Sequence, residues 1–485
     1  MVTSENEGLG RFAARGALST VAGQVIRLAV QLVGVVILAR LLGPTDYGLI
    51  AMVVAIVGVG EVLRDFGLSS AVMRAESLSV TQRNNLFWIN TLIGAVLTIA
   101  IILLSNPIAD LYGQPELVGI CIAISFTFLL NGMATQYRAG LARNLKFGYL
   151  ALVETAAPVL GLVVSVALAF TGFGYWALVW QQLVLASTGL ILAAFLGRWL
   201  PGPYSRRAEM GSFFRFGANL AATQILNYAS ANIDSIVVGY SFGSTVLGFY
   251  NRAFQLISLP LSQFNAPATK VAVPILSRIR DDTPRLASFL IQGQSVLLHV
   301  VAATFAFTTA QASGLIDVAL GPQWSASVPL FQILAVGGVA QSAGYVVYWI
   351  FLVRGHTGSL LRQELATRPI MITFIIVGSL WGTAGVAAGY AMGQILAWPF
   401  GLWWVRKYSV PALALFGNGL RICAYYAIAG LLSFFVSHAL SLNSIGQLLV
   451  GASTFSLALV LLGIASRRYR ADVALFAKVV RLTRR

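Results

Sequence analysis

The sequence predicts an all-α integral membrane protein that crosses the bilayer about fourteen times. Three observations predict it: an apolar composition, apolar runs of spanning length, and basic residues that alternate from loop to loop. Of 485 residues, 58% are hydrophobic and 10% charged, with a mean hydropathy of +0.81. A water-soluble fold of this size could not bury so much apolar surface. Lipid can replace water only where each spanning segment satisfies its own backbone hydrogen bonds, which leaves helices and closed barrels. The apolar runs extend about 20 residues or more, the length a helix needs to cross roughly 30 Å of hydrocarbon. Barrel strands would be about half as long and would alternate in polarity.

Taken in order, the apolar stretches place helices at 17–42, 47–63, 84–105, 118–138, 150–171, 174–196, 213–239, 246–266, 287–311, 326–352, 364–381, 383–405, 416–437 and 445–465. The first is too long for a signal-peptide core and has no small-residue cleavage site followed by a soluble domain, so it is read as a retained helix. Tight connections such as Thr171-Gly172-Phe173-Gly174 join neighbouring stretches. Beyond the last stretch, a tail running from Arg467 to Arg485 holds seven basic residues and is expected to lie on anionic headgroups.

The placement of Lys and Arg tests this map independently, because the map was drawn from hydropathy alone. Of 32 basic residues, all but Arg27, Arg40 and Arg252 fall on one face, from Arg11 and Arg15 to the tail. Loops of the opposite face carry Asp46, Asp110, Glu116 and Asp317. A missed or added helix would scramble the alternation. Both termini are therefore expected on the cytoplasmic side, and the net charge of +16 is mainly a topology signal. Nucleic-acid binding is excluded on the same ground, since the cations are spread over every loop of one face rather than gathered on a domain. Cys121 and Cys423 lie far apart in separate apolar stretches and give neither a disulfide framework nor a metal-ligand set. No Gly-rich loop ends in Lys-Ser or Lys-Thr, so ATP is not expected as the direct energy source and no cofactor is called for.

An internal repeat of about two hundred residues is visible. Leu42-Gly43-Pro44-Thr45-Asp46-Tyr47-Gly48-Leu49 matches Phe242-Gly243-Ser244-Thr245-Val246-Leu247-Gly248-Phe249 at an offset of 200, and Gln24 falls on Gln224. Six stretches separate the copies, an even number, so the repeat is parallel, with its axis along the membrane normal. Transporters built in this way hold substrate between their halves. The expectation is two pseudo-symmetric six-helix lobes, 1–200 and 201–408, followed by two added helices and a basic tail over 409–485.

Polar side chains at bilayer depth are costly unless they face protein or water, so they mark the expected central cavity. Thr20, Gln24, Arg27 and Gln31 form one stripe at helical spacing on the first stretch, with Arg27 about 15 Å along the axis from Ala17, near the midplane. Asn219, Thr223, Asn227, Ser230 and Asp234 form another on the seventh stretch with Gln224 beside it, and Asn251, Arg252 and Gln255 lie on the eighth. Interhelical hydrogen bonding is the plainer role for the amides. Arg27 and Arg252 suit an anionic cargo, because a guanidinium stays charged and grips phosphate with two parallel bonds. Substrate contact is thus expected from Arg27, Arg252, Gln24, Gln31, Asn227 and Gln224. Asp234 and Glu154 are the carboxylates available for ion coupling; alternatively Asp234 pairs with Arg252, and Glu154 with a cytoplasmic Arg or Lys. Glu61, Arg64 and Asp65 read as a salt-bridge cluster at a helix end.

The motifs Ala39-Arg40-Leu41-Leu42-Gly43-Pro44-Thr45-Asp46-Tyr47-Gly48, Asp65-Phe66-Gly67-Leu68-Ser69-Ser70-Ala71 and Leu86-Phe87-Trp88-Ile89-Asn90 resemble those of the polysaccharide-transporter branch of the MOP superfamily, in particular its WzxC-like group. Leu145-Lys146-Phe147, Leu247-Gly248-Phe249-Tyr250-Asn251-Arg252-Ala253 and Val273-Pro274-Ile275-Leu276-Ser277-Arg278 extend the resemblance over roughly residues 10 to 470. It implies a MATE/MOP-like fold in the bacterial cytoplasmic membrane. It also implies movement of polyprenyl-diphosphate-linked oligosaccharides toward the outer leaflet, with polysaccharide polymerase and glycosyltransferases as partner enzymes. A MATE-type exporter of cationic drugs would share the fold but wants an embedded acid where this chain has Arg27. A membrane enzyme acting on the same lipid-linked sugars would want a large loop or domain, and every loop here is short.

Overall fold

The computed structural model describes residues 24, 26–65, 68, 69, 72, 78–206 and 210–482. The start of the first stretch, with Arg11, Arg15 and Thr20, lies outside the described residues, as do Phe66, Gly67, Ser70, Ala71, Arg74 and Arg207. Among the described residues the regular structure is entirely helical. The helices are α1 (26–41), α2 (Pro44–Asp65), α3 (Val80–Tyr112), α4 (Glu116–Arg143), α5 (Phe147–Phe170), α6 (Trp176–Gly197), α7 (211–242) and α8 (244–278). Then come α9 (Thr283–Ala310), α10 (Ala312–Ala319), α11 (Ser327–Arg354), α12 (Thr357–Gly378), α13 (Gly382–Val405), α14 (Ala412–Ala439), α15 (Ser444–Ala465) and α16 (Arg467–Leu482). Fourteen of these stand where the apolar stretches place them; α10 and the tail helix α16 are additional.

Local chemistry sets the ends. Ser79 opens α3 with a reciprocal cap, accepting from Gln82 N at 3.1 Å while its own N–H donates to Gln82 Oε1 at 3.0 Å. Gly113 closes the same helix in the left-handed region, φ 62°. Asn443 accepts from Gly446 N at 2.8 Å and starts α15. Between α7 and α8 a single residue, Gly243, breaks the helical run at φ 81° and ψ −179°, a conformation open to glycine. Among the described residues, ten segments are long and apolar enough on their own to cross a membrane, one of them containing both α12 and α13. Helices α7 and α8 are not among them, because amide and charged side chains such as Asn227, Asn232, Asp234, Asn251 and Arg252 interrupt their apolar surface.

The chain forms two compact units, residues 1–248 and 249–485. In the first, α3 packs antiparallel on α4, and α6 packs on both α4 and α5. Backbones meet closely at Gly94 and Gly132, where a Cβ would lie 2.5 Å from the Phe128 carbonyl oxygen and 2.6 Å from that of Asn90. The connection from α6 to α7 is fastened to the start of α3. Trp88 Nε1 donates to the Gly202 carbonyl at 2.9 Å, Asn85 exchanges two bonds with the Ser205 backbone at 2.6 and 2.9 Å, and the Arg83 guanidinium sits 3.9 Å over the Trp199 ring.

The repeat motifs meet each other within this unit. The hydroxyls of Thr45 and Thr245 lie 2.8 Å apart. A methyl group at Gly48 would overlap the Ser244 carbonyl oxygen, and one at Gly248 would overlap that of Pro44. Shifting each partner by 200 turns one contact into the other, so the junction is its own two-fold image, as isologous contacts are.

In the second unit, α11 and α12 pack on α13, and α14 packs on α9 and α15. Buried polar bonds knit the α9–α10 corner to α14: Gln311 Nε2 donates to Ser433 Oγ at 2.9 Å and Ser437 Oγ at 3.0 Å. Large apolar side chains such as Leu103, Phe195, Leu431 and Leu449 are exposed on the units. Such surface is stable where the surrounding solvent is lipid. The protein is a multi-pass membrane protein.

Candidate functional site

Among the described residues, a group of charges lies in the first unit, where the C-terminal ends of α2 and α4 meet Gln24 and Arg27 and the first turns of α5. Arg64 Nε donates to Glu61 Oε2 at 2.6 Å; its Nη1 donates to Thr135 Oγ1 at 2.6 Å and to the Asn131 carbonyl at 3.2 Å. Asn131 Nδ2 returns to Glu61 Oε1 at 2.9 Å, closing a ring of α2 and α4 side chains. Arg138, one turn beyond Thr135, is within electrostatic reach of Arg64, Glu61 and Glu154. Glu154 on α5 stands 3.8 Å from Arg27 Nη1, and Arg27 Nη2 donates to Gln24 Oε1 at 3.3 Å. Three guanidinium groups thus share two carboxylates. The surplus positive charge sits beside the half-open Arg27–Glu154 pair, whose side chains are 44% and 51% exposed. Guanidinium forks and a surplus cation in low dielectric hold an anion with phosphate geometry.

Of the residues predicted to contact substrate, the structure therefore joins Gln24 and Arg27, and adds Glu154 to them. Glu154 pairs with Arg27 itself rather than with a loop cation, which corrects the expectation of a cytoplasmic Arg or Lys partner. Glu154 is seven residues into α5, so Arg27 lies about 10 Å along that helix from its first turn. Gln31 is exposed on α1, one turn beyond Arg27. Gln224 and Asn227 are exposed on α7, beside Tyr228, whose hydroxyl donates to the Val54 carbonyl at 2.7 Å; the side chains of Asn219 and Thr223 lie outside the described residues. Asp234 is buried and accepts from Ser235 N at 2.8 Å. Arg252, in the second unit, is 3% exposed; its Nη1 donates to Gln255 Oε1 at 2.6 Å and its guanidinium lies 5.3 Å from the Trp324 ring centre.

Sequence reading assigned Arg64 and Arg138 to the topology signal and did not place them with Arg27. The clue was present in the 131, 135, 138 spacing, one face of α4 that carries Asn, Thr and Arg. The second unit also contains a cavity of about 620 Å³ between α9, α11, α13 and α14, walled by apolar residues such as Phe305, Val339 and Leu431 together with Gln332 and Tyr426. None of the predicted residues lines it.

Comparison with known proteins gives these arrangements a context. Residues 37–329 match the family described as "Polysaccharide biosynthesis protein". Lipopolysaccharide biosynthesis protein WzxC of Escherichia coli (strain K12) is 26% identical over 447 residues, covering 89% of this chain and 88% of that one. Succinoglycan biosynthesis transport protein ExoT of Rhizobium meliloti (strain 1021) is 24% identical over 339 residues, covering 67% and 68%. Among solved structures, lipid II flippase MurJ in an inward closed conformation aligns with a TM-score of 0.69 at 13% identity, covering 92% of this chain and 99% of that chain. That likeness is one of fold, and it agrees with the MATE/MOP-like architecture the motifs imply. The family match spans more than half of the residues and includes the Leu42–Leu49 motif and its copy at Phe242–Phe249, so the chain belongs to the polysaccharide biosynthesis protein family.

Proposed function

We propose that this protein is a flippase that moves polyprenyl-diphosphate-linked oligosaccharides across the bacterial cytoplasmic membrane, from the cytoplasmic to the outer leaflet, for surface-polysaccharide assembly. The observation that carries this reading is the cationic surplus of Arg27, Arg64 and Arg138 over Glu61 and Glu154 inside the membrane helices of a member of this family. A diphosphate brings two or more negative charges and several acceptor oxygens, which suit guanidinium groups. Relatives are named for lipopolysaccharide biosynthesis and succinoglycan transport, and the fold is shared with a lipid II flippase; each name concerns a saccharide polymer or its precursor. We read this chain as a carrier rather than an enzyme, with both termini cytoplasmic and with polymerase and glycosyltransferases as its working partners.

In this reading Gln24, Arg27 and Gln31 on α1, and Gln224 and Asn227 on α7, meet the cargo. Arg252, buried against Gln255 and Trp324, belongs to the same polar set in the second repeat half. Asp234 and Glu154 are the carboxylates available for ion coupling. Deleting the gene is expected to abolish one surface glycan and to leave its lipid-linked repeat unit in the inner leaflet. A deletion strain with normal surface glycans and no accumulated repeat unit overturns the reading.

A further inference from the structure

The tail holds one acidic residue, Asp472, among seven basic ones. Arg468 is one turn away on α16 and could pair with it along the helix, yet Arg468 is exposed and Asp472 points into the second unit. Asp472 Oδ2 accepts from Arg421 Nη2 of α14 at 2.9 Å and lies 3.5 Å from His299 Nε2 of α9. Its side chain is 15% exposed and that of His299 8%. Tyr469, one turn before, is buried with its ring edge-on to His299 and Tyr425.

Both nitrogen groups also have partners on the membrane helices. Arg421 Nη2 also donates to Asn418 Oδ1 at 2.8 Å, and Asn418 Nδ2 donates to Gln294 Oε1 at 3.1 Å and Ser295 Oγ at 3.0 Å. His299 Nδ1 shares a 2.9 Å hydrogen bond with the Tyr426 hydroxyl. Arg421 Nε is buried and makes no hydrogen bond, so this guanidinium has a donor that Asp472 does not use, while His299 Nε2 faces Asp472 Oδ2. A buried donor left without an acceptor is costly, and an anion with more oxygens than a carboxylate would satisfy Arg421 Nε as well. Depth supplies the next constraint. The Tyr425 hydroxyl lies 3.0 Å from Ser466 Oγ, at the residue that closes α15. The 22 residues of α15 extend about 33 Å, the thickness of the hydrocarbon core, so this level is where headgroup phosphates begin.

We propose that Arg421 and His299 form a binding site for the phosphate of an anionic lipid headgroup, and that Asp472 of α16 occupies this site in cis, so that tail helix and lipid compete for it. Basic pockets between membrane helices at headgroup level hold such lipids. Competition is reciprocal: releasing the tail raises lipid affinity, and lipid raises the population of released tail. The site does not depend on what the protein carries.

The test uses the full chain in mild detergent, titrated with phosphatidylglycerol or phosphatidylcholine, with bound lipids counted by native mass spectrometry. Asp472→Asn is expected to retain phosphatidylglycerol about fivefold or more above the wild type, and to be cut faster by trypsin between Arg467 and Arg470. Adding Arg421→Gln to Asp472→Asn is expected to return retention to the wild-type level; His299→Gln in the same background is the second variant, and unfolding temperatures confirm that each is folded. Unchanged tryptic cleavage in Asp472→Asn overturns the latch. Unchanged retention, an increase that survives both second substitutions, or an equal gain for phosphatidylcholine overturns the phosphate site. Displacement of phosphatidylglycerol by inorganic phosphate at equal concentration overturns the assignment to a lipid headgroup.

Discussion

Removing Arg27 and removing Arg64 test different things, because the two guanidinium groups share one cluster at different depths of engagement. Arg27 is half exposed and meets Glu154 at 3.8 Å, so Arg27→Ala is expected to change stability by no more than about 1 kcal/mol. Its expected signature is loss of glycan export in a complementation assay at unchanged protein level. Arg64 bonds Glu61, Thr135 and the Asn131 carbonyl, and its side chain is only 15% exposed. Arg64→Ala leaves Glu61 with Asn131 alone and is expected to cost about 2–4 kcal/mol, read as a lowered unfolding temperature in detergent. Were Arg27→Ala to export normally, Arg27 would leave the cargo site. Sequence reading reached Arg27 and Gln24 through a stripe at helical period within one helix. It did not reach the Arg27–Glu154 pair, since periodicity says nothing about which distant helix a stripe will face. The expected cluster of Glu61, Arg64 and Asp65 was legible in part for the opposite reason: Glu61 and Arg64 pair because they are three residues apart on one helix, whereas Asp65 accepts from Ser69 Oγ.

At the scale of elements, hydropathy located fourteen helices because lipid demands long apolar runs, and the ends moved wherever caps decided them. α3, for example, starts at Val80 behind its Ser79 cap, four residues before the predicted stretch, and runs on to its Gly113 cap. α7 and α8 are the most polar of the fourteen, yet their runs were still long enough to be placed by hydropathy, and the alternation of basic residues agrees with both. The tail shows what pattern could not give. A run of arginines reads as a headgroup contact, while the docking of its single carboxylate on α9 and α14 depends on two helices distant in sequence. The repeat was legible down to individual positions, and Thr45 and Thr245, aligned by an offset of 200, touch. A Thr45→Cys/Thr245→Cys pair is expected to oxidise readily, since a disulfide needs Cβ atoms about 4 Å apart. Gly48→Ala in that background is expected to lower the cross-linked fraction several-fold on denaturing gels, because the new methyl group must push the Ser244 carbonyl away. An undiminished yield would show that the junction does not depend on the close approach of the two backbones.

For the whole molecule, one-sided placement of cations is a statement about orientation that can be measured directly. A reporter that fluoresces only in the cytoplasm is expected to be bright when fused after Arg485, and a periplasm-dependent phosphatase fused there is expected to be inactive. The reverse pattern would invert the topology and with it the direction of transport. The same bias that orients the chain leaves few cations for its interior, so those that remain there stand out against an apolar background. Within the interior, small residues bring backbones together and buried amides pin helix to helix, as Gly94 with Gly132 and Gln311 with Ser433 show.

The fastening of residues 199–206 onto the start of α3 bears on how the chain tolerates change. Most surface connections act as slack rope and absorb extra length, but Trp199, Gly202 and Ser205 are each tied by a ring or a backbone bond to Arg83, Trp88 and Asn85. Residues added there cannot bulge outward without untying at least one knot, so natural variation in length should collect at the free tips elsewhere and spare this crossing.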